Sequence, residues 1–290
     1  MSDDAAFIAS VEALAPWVGR KRIVEDDIGL MAVRRGASML DLEPVSFVNG
    51  TELPPHWFTL FFGEYARQSD IGADGHPKPG VVLPPIPLPR RMGAGRRVTI
   101  NGSLRAGEPA RKIAEVAAIV PKIARTGRIA VLTMRHTIEA RGEVIAVDEF
   151  DAVYREAPPP GQKTTATVPA KAPTDAAWSE TKELTSPLVF RYSAITWNAH
   201  KIHYDADYSR DTEGYPQTVQ NGGLTMQLLL DAAIRNAGRR LTGFTARLTS
   251  PLYVGQTVTL CGRGVQDGKM AVWAANADGS LCAEMGLEFA

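Results

Sequence analysis

Apolar and polar positions change rhythm several times along this chain, and the changes mark out its parts. From 224 to 237 nearly every position is apolar or a good helix former, with Gly222 and Gly223 ahead and Gly238 behind, which predicts a helix bracketed by glycines. A helix that is apolar round most of its circumference has to be wrapped by other structure. After it, 241–250, 257–265, 270–276 and 281–289 show alternation or β-branched content and are separated by Gly255, Asp267-Gly268 and Asp278-Gly279, which predicts four antiparallel strands. Earlier in the chain, 97–104, 112–120, 129–138 and 144–154 read as strands in the same way, 188–195 reads as a further strand, and 5–18 as a short amphipathic helix ending near Pro16. Residues 23–47 carry mixed signals, with turns at Asp41 and Pro44.

One buried helix with an antiparallel sheet curling round it is the hot-dog arrangement, and the chain carries signs of two copies. Leu104, Gly107, the run from Arg128 to Leu132, Gly142 and Ala146 are answered by Leu252, Gly255, the run from Lys269 to Trp273, Gly279 and Ala283, at an offset that drifts from 148 to 137 residues. The expected fold is therefore α+β, a double hot-dog with a degenerate N-terminal copy. The expected division is an N-terminal unit over 1–155, a connector over 156–180 rich in Pro, Ala, Thr and Lys, and a C-terminal unit over 181–290. The stretch 53–95 is dense in proline, glycine and aromatics, and Trp57, Phe58, Phe61, Phe62 and Tyr65 would be costly to leave in water, so it reads as an ordered covering segment.

Charge narrows the function. Thirty-two Lys and Arg balance 32 Asp and Glu, so no global field recruits nucleic acid or an acidic membrane. Cys261 and Cys282 read as reduced core residues, no run reaches membrane-spanning length, and the N-terminus is acidic where a signal peptide would be basic, which predicts a cytoplasmic protein.

The chemistry concentrates between Phe190 and Gly223, in FRYSAITWNAHKIHYDADYSRDTEGYPQTVQNGG. Asn198, His200 and His203 there resemble the signature of MaoC-like (R)-specific enoyl-CoA hydratases: Asp, any residue, Asn, Pro, an aliphatic residue, His. Aligning on the last histidine puts His203 on the family's catalytic His, Asn198 on its catalytic Asp and Ile202 on the aliphatic position; Asn for Asp is a departure. The wording of the motif, with Gly214-Tyr215-Pro216 after it and DGHPKPG and PLPRRM in the first half, is similar to the two-domain branch that holds hydroxyacyl-thioester dehydratase type 2 and mesaconyl-C4-CoA (3-methylfumaryl-CoA) hydratase.

That resemblance implies water addition across an α,β-unsaturated acyl-CoA, with mesaconyl-C4-CoA or itaconyl-CoA as substrate, no cofactor and no metal; a homodimer is expected through sheet edges that would otherwise stay unpaired. Hydration needs a base for water, a group to hold it, a proton for the α-carbon and donors for the enolate oxygen. His203 suits the base, because imidazole can take a proton near neutral pH and return it. Asn198 can fix the water but cannot relay a proton, which leaves both proton transfers to His203. Asp205 is a candidate to orient it. Backbone N–H groups at Gly222 or Gly223 are the expected oxyanion donors. Arg90 and Arg91 are candidates to grip a carboxylate or a CoA phosphate, with Arg96, Arg97 and Lys112 as alternatives, and His200 and Tyr215 are expected to shape the substrate pocket. His200 and His203 form an HxxH pair for which the sequence offers no third metal ligand, and His76 reads as a loop residue. Two rival readings share the fold: a hot-dog thioesterase, and a non-catalytic CoA- or acyl-carrier-binding subunit.

Overall fold

The computed structural model describes residues 3–124, 127–156 and 169–290; residues 157–168 of the connector lie outside the described residues. The elements in chain order are α1 (Asp3–Glu12), β1 (Lys21–Asp26), α2 (Leu30–Met39), β2 (Arg90–Ile100), β3 (Ala110–Ala124), β4 (Gly127–Ala140), β5 (Glu143–Arg155), β6 (Trp178–Glu183), α3 (Ser186–Ile195), α4 (Gly222–Ala237), β7 (Leu241–Leu248), β8 (Thr257–Gly262), β9 (Lys269–Ala275) and β10 (Leu281–Phe289). The last three residues of the expected connector thus belong to an edge strand. Among the described residues no helix is long and apolar enough to cross a membrane.

All ten strands form a single antiparallel sheet in the order β1-β3-β4-β5-β2-β7-β10-β9-β8-β6. Replacing each strand of one half by its counterpart in the other turns that order into its own reverse: β1 answers β6, β3 answers β8, β4 answers β9, β5 answers β10. The seam is the short β2–β7 ladder from Arg96↔Ala246 to Thr99↔Gly243. Turn glycines match too: Gly107 and Gly255 sit at φ 77° and 84°, and Gly142 and Gly279 at 78° and 70°, a region an L side chain adopts only with strain. Those are the positions at which the two stretches of sequence corresponded.

The copies differ in their helices. α2 answers α3, but α4 has no helical counterpart; residues 40–89 stand in its place with only isolated 3₁₀ turns. Trp57, Phe58, Leu60, Phe61 and Phe62 from that stretch are buried in the same core as Leu224, Leu228 and Leu229 of α4. Fully buried His56 fastens them, with its Nε2 2.9 Å from Asp231 Oδ1 and 2.9 Å from Gln227 Nε2 on α4. Tyr65 departs from expectation at 67% exposure, whereas Ile86 and Leu88 later in the stretch are buried in a second core cluster. Cys261 and Cys282 are free and buried.

The segment 188–195 is a helix and not the expected strand. Thr185 Oγ1 accepts from Leu188 N, Pro187 occupies the first turn where its missing N–H costs nothing, and the buried positions are Leu188, Val189, Tyr192 and Ser193, a one-sided helical spacing. Phe190, which made the run look alternating, points to solvent at 66% exposure. α4 itself runs between the expected glycines and ends on Gly238 at φ 59°, whose N–H returns to Ile234 O.

Candidate active site

Three short connections bring the motif together ahead of α4. Asn198 N donates to Ser193 O at 2.8 Å where α3 ends, and the Ser193 hydroxyl lies 3.2 and 3.3 Å from the carboxamide of Asn221, the residue that begins α4. The 3₁₀ turn Lys201–His203 is tied in by Val219 N, which donates to Ile202 O at 2.8 Å. Finally, His203 Nδ1 lies 2.8 Å from Val219 O. A carbonyl only accepts, so Nδ1 carries the hydrogen and Nε2 keeps a free lone pair. Burial pushes the His203 imidazolium down to about 4, outweighing the Val219 carbonyl that favours it, so the ring is neutral near pH 7.

Asn198 spends its Oδ1 on the backbone N–H of His200, at 3.0 Å, as an Asx turn does. Its Nδ2 is the end left to address a water. Asp205 caps Tyr208 N at 2.9 Å instead of orienting His203, a role Val219 O performs. Gly222 and Gly223 form the first turn of α4 and are partly exposed, so their N–H groups lie at the positive end of the helix.

A cavity of about 540 Å³ opens beside this motif, within the range typical of small-molecule sites. Its walls join the proline-rich stretch of the first half to Arg90, Arg91, His200, Ile202 and Tyr215, so the four residues expected to contact substrate share one wall system. His203 and Asn198 do not line it. His203 stands one imidazole away, its ring edge-on to His200 at 5.6 Å between centroids. The alternative cations are already engaged: Arg96 is bidentate on buried Asp148 at 2.8 and 2.6 Å, Arg97 bonds Asp151 at 2.8 Å, and Lys112 donates to Phe62 O and Glu64 at 2.8 and 3.1 Å.

Sequence reasoning missed one part of the site. A tight loop around Gly72–His76 crosses from the first half and docks on the motif: Lys201 N donates to Asp74 O at 2.8 Å, and Gly75, at φ 93°, passes so close that a Cβ there would lie 1.8 Å from Ala199 O. His76 packs against His200 with ring centroids 4.1 Å apart and planes tilted by 40°, and its Nδ1 lies 3.0 Å from Asp74 Oδ2. Burial alone would raise the Asp74 carboxyl; the His76 hydrogen bonds and the imidazoles nearby hold it at about 2. Burial and the neighbouring His76 and His203 drive His200 down to about 3. His76 is a loop residue as expected, and that loop makes it part of the cavity wall. Asp74, His76 and His200 place donor atoms of metal-ligand type within 4.8 Å of one another, so a third ligand type does stand beside His200, supplied from more than 120 positions away along the chain. The sequence signal for it was the DGHPKPG run.

Residues 56–254 match the hydroxyacyl-thioester dehydratase type 2 family. The chain belongs to that family. Membership makes it a hydro-lyase of acyl thioesters. The dehydratase is 38% identical over 238 residues to mesaconyl-C(4)-CoA hydratase of Chloroflexus aurantiacus, covering 82% of this chain and 84% of that protein. Among solved structures it superposes on a MaoC-like dehydratase of Phytophthora capsici with a TM-score of 0.71 at 13% identity, over 94% of this chain and 96% of that one. A Mycobacterium tuberculosis protein described as having a double hotdog fold superposes with a TM-score of 0.58 at 12% identity, over 94% of this chain and 96% of that one. These likenesses establish the double hot-dog architecture of the dehydratase.

Proposed function

We propose that this dehydratase catalyses reversible water addition to a short, branched, unsaturated dicarboxyl-CoA thioester, with mesaconyl-C4-CoA as first candidate and itaconyl-CoA as second. The observation that carries the reading is His203: a half-buried, neutral imidazole with Nδ1–H fixed on Val219 O, three residues ahead of the start of α4, and Nε2 free. His203 Nε2 takes a proton from water as the water oxygen bonds the β-carbon. The double-bond electrons move toward the thioester oxygen, where backbone N–H groups at Gly222 and Gly223 meet the developing charge. A proton delivered to the α-carbon completes the product. Asn198 Nδ2 steadies the attacking water.

The substrate class rests on the 38% identical relative together with Arg90 and Arg91, two guanidinium groups in the wall of a cavity that also holds His200 and Tyr215. In this reading the first half, over 1–155, binds the acyl portion and CoA lies along the groove between the halves, while 181–290 supplies His203. The enzyme works as a cytoplasmic homodimer on side chains and backbone alone. The test is direct: purified protein mixed with mesaconyl-C4-CoA should deplete the enoyl-thioester absorbance without releasing free thiol, and His203→Ala should abolish the loss. Thiol release would favour a thioesterase; CoA binding with no turnover would favour a non-catalytic subunit.

A further inference from the structure

Asn198 leaves the hydratase motif one carboxylate short, and the loop that crosses from the first half brings one back. We propose that Asp74 and His76 form a second acid–base pair of the site, with His76 Nε2 exchanging the proton at the substrate α-carbon; this rests on the hydratase reading above.

Four observations support it. Asp74 holds His76 twice, with Oδ1 accepting the His76 backbone N–H at 3.0 Å and Oδ2 lying 3.0 Å from the ring Nδ1, so the ring orientation is fixed, Nδ1 carries the hydrogen and Nε2 is available. Asp74 is ionised and is placed to stabilise the imidazolium that forms whenever Nε2 holds a proton, the part an aspartate plays beside a catalytic histidine. The loop is held to the motif: Lys201 N bonds Asp74 O, and Gly75 is the residue that lets the backbone pass under Ala199. His76 lines the cavity together with Arg90, Arg91 and Tyr215, and its ring and that of His203 both contact the His200 ring.

Centroid distances of 4.1 and 5.6 Å to the shared His200 ring keep the two outer imidazoles within about 10 Å of each other, enough for a planar C=C with a nitrogen about 3 Å from each reacting atom. In hydration, the Nε2–H bond of His76 breaks as the α-carbon–hydrogen bond forms, and His203 Nε2 gains the proton that water loses. One water has then been added, and both rings return to their starting states by exchange with solvent. Dehydration runs the same transfers backwards, with neutral His76 taking the α-proton.

The experiment compares His76→Gln, His76→Ala and Asp74→Asn with wild type and His203→Ala, using mesaconyl-C4-CoA and its hydrated, α-deuterated product. The His76 variants should lose about 10²–10³-fold in kcat with KM within about threefold and an unchanged melting midpoint; Asp74→Asn should lose about tenfold or more. The isotope effect on dehydration by His76→Gln should rise above wild type, because α-C–H cleavage becomes the slow step. Added imidazole should restore part of the His76→Ala rate. A kcat within threefold of wild type for both His76→Gln and Asp74→Asn, with His203→Ala inactive, overturns this inference and leaves the hydratase reading standing. Activity lost without imidazole rescue and without a larger isotope effect would assign the loop a structural part only and also overturns it. A wild-type protein that hydrates no enoyl-CoA removes both readings together.

Discussion

Replacing the two glycines at the start of α4 separates their parts in the oxyanion site. A Cβ added at Gly222 would lie 2.2 Å from Leu248 Cδ1, with the other Leu248 carbons at 3.5 and 3.6 Å. Leu248 ends β7 and is partly exposed, so a rotation of its methyl groups relieves the clash. A Cβ at Gly223 meets Tyr192 instead, at 2.4 Å from the hydroxyl oxygen and 3.2 Å from Cζ. Tyr192 is 5% exposed and packed within α3, and burial pushes its phenol up to about 12, so it has no charged state to retreat to and little room to turn. Restoring contact from 2.4 Å to an ordinary distance moves the ring or the helix start by about 1 Å, and a 1 Å misplacement of a catalytic donor costs about 10²-fold. Overpacking of this kind also costs about 1–3 kcal/mol of stability. Gly223→Ala should therefore lose about 10²-fold in kcat with a lowered melting midpoint, while Gly222→Ala stays within about threefold of wild type. The assay is enoyl-thioester absorbance at saturating substrate, with calorimetry on the same preparations. If folded Gly223→Ala turned over like wild type, or if Gly222→Ala were the worse of the two, the donors would not be where the Tyr192 contact says they are.

Three further outcomes follow from the geometry. Arg91→Ala should raise KM for a dicarboxyl-CoA by about tenfold or more relative to crotonyl-CoA, since a charge-assisted hydrogen bond contributes about 1.5–3 kcal/mol; equal KM changes for both esters would remove the carboxylate grip. Asn198→Asp keeps the acceptor that His200 N uses and should retain the fold and at least about a tenth of the rate, whereas Asn198→Ala should lose more than that with about 1 kcal/mol of stability; the reverse ranking would deny the Asx turn its importance. Acid should destabilise the protein through three half-buried histidines. His203 and His136 are down to about 4 and His200 to about 3, each chiefly through burial, so between an unfolded value near 6.5 and the folded ones the unfolded chain binds more protons, and stability falls as pH drops through that window. Each histidine would contribute about 1.8 kcal/mol between pH 7 and 5, discounted to roughly 3 kcal/mol for the three because all of them are partly exposed. Urea unfolding at those two pH values measures it, and a flat profile would mean the rings are hydrated in the native state.

Most of the second half was legible because its signals are local. α4 is apolar round most of its circumference with glycines at both ends, and β7 to β10 are separated by glycines that need left-handed backbone, so period and punctuation agree. α3 was misread for a reason that lies in the same kind of evidence: Leu188, Phe190 and Tyr192 alternate like a strand, and only the Thr185 cap and Pro187 say otherwise. α2 went unseen because its run holds two arginines and a glycine and begins on Gly29 with no side-chain cap. The site divides similarly. Asn198, His203 and the glycine pair fall within one stretch of 26 residues. His76 and Asp74 reach them only through the fold, since nothing local to DGHPKPG says which loop it will rest upon.

The central claim is that a neutral imidazole at 203 activates water for addition to an unsaturated thioester. Following enoyl-thioester absorbance and free thiol together, in wild type and His203→Ala with mesaconyl-C4-CoA, tests it most directly. The account predicts saturable loss of absorbance with no thiol for the wild type, and a fall of about 10²–10⁴-fold in rate for the variant with CoA binding retained. Undiminished hydration by folded His203→Ala would contradict it.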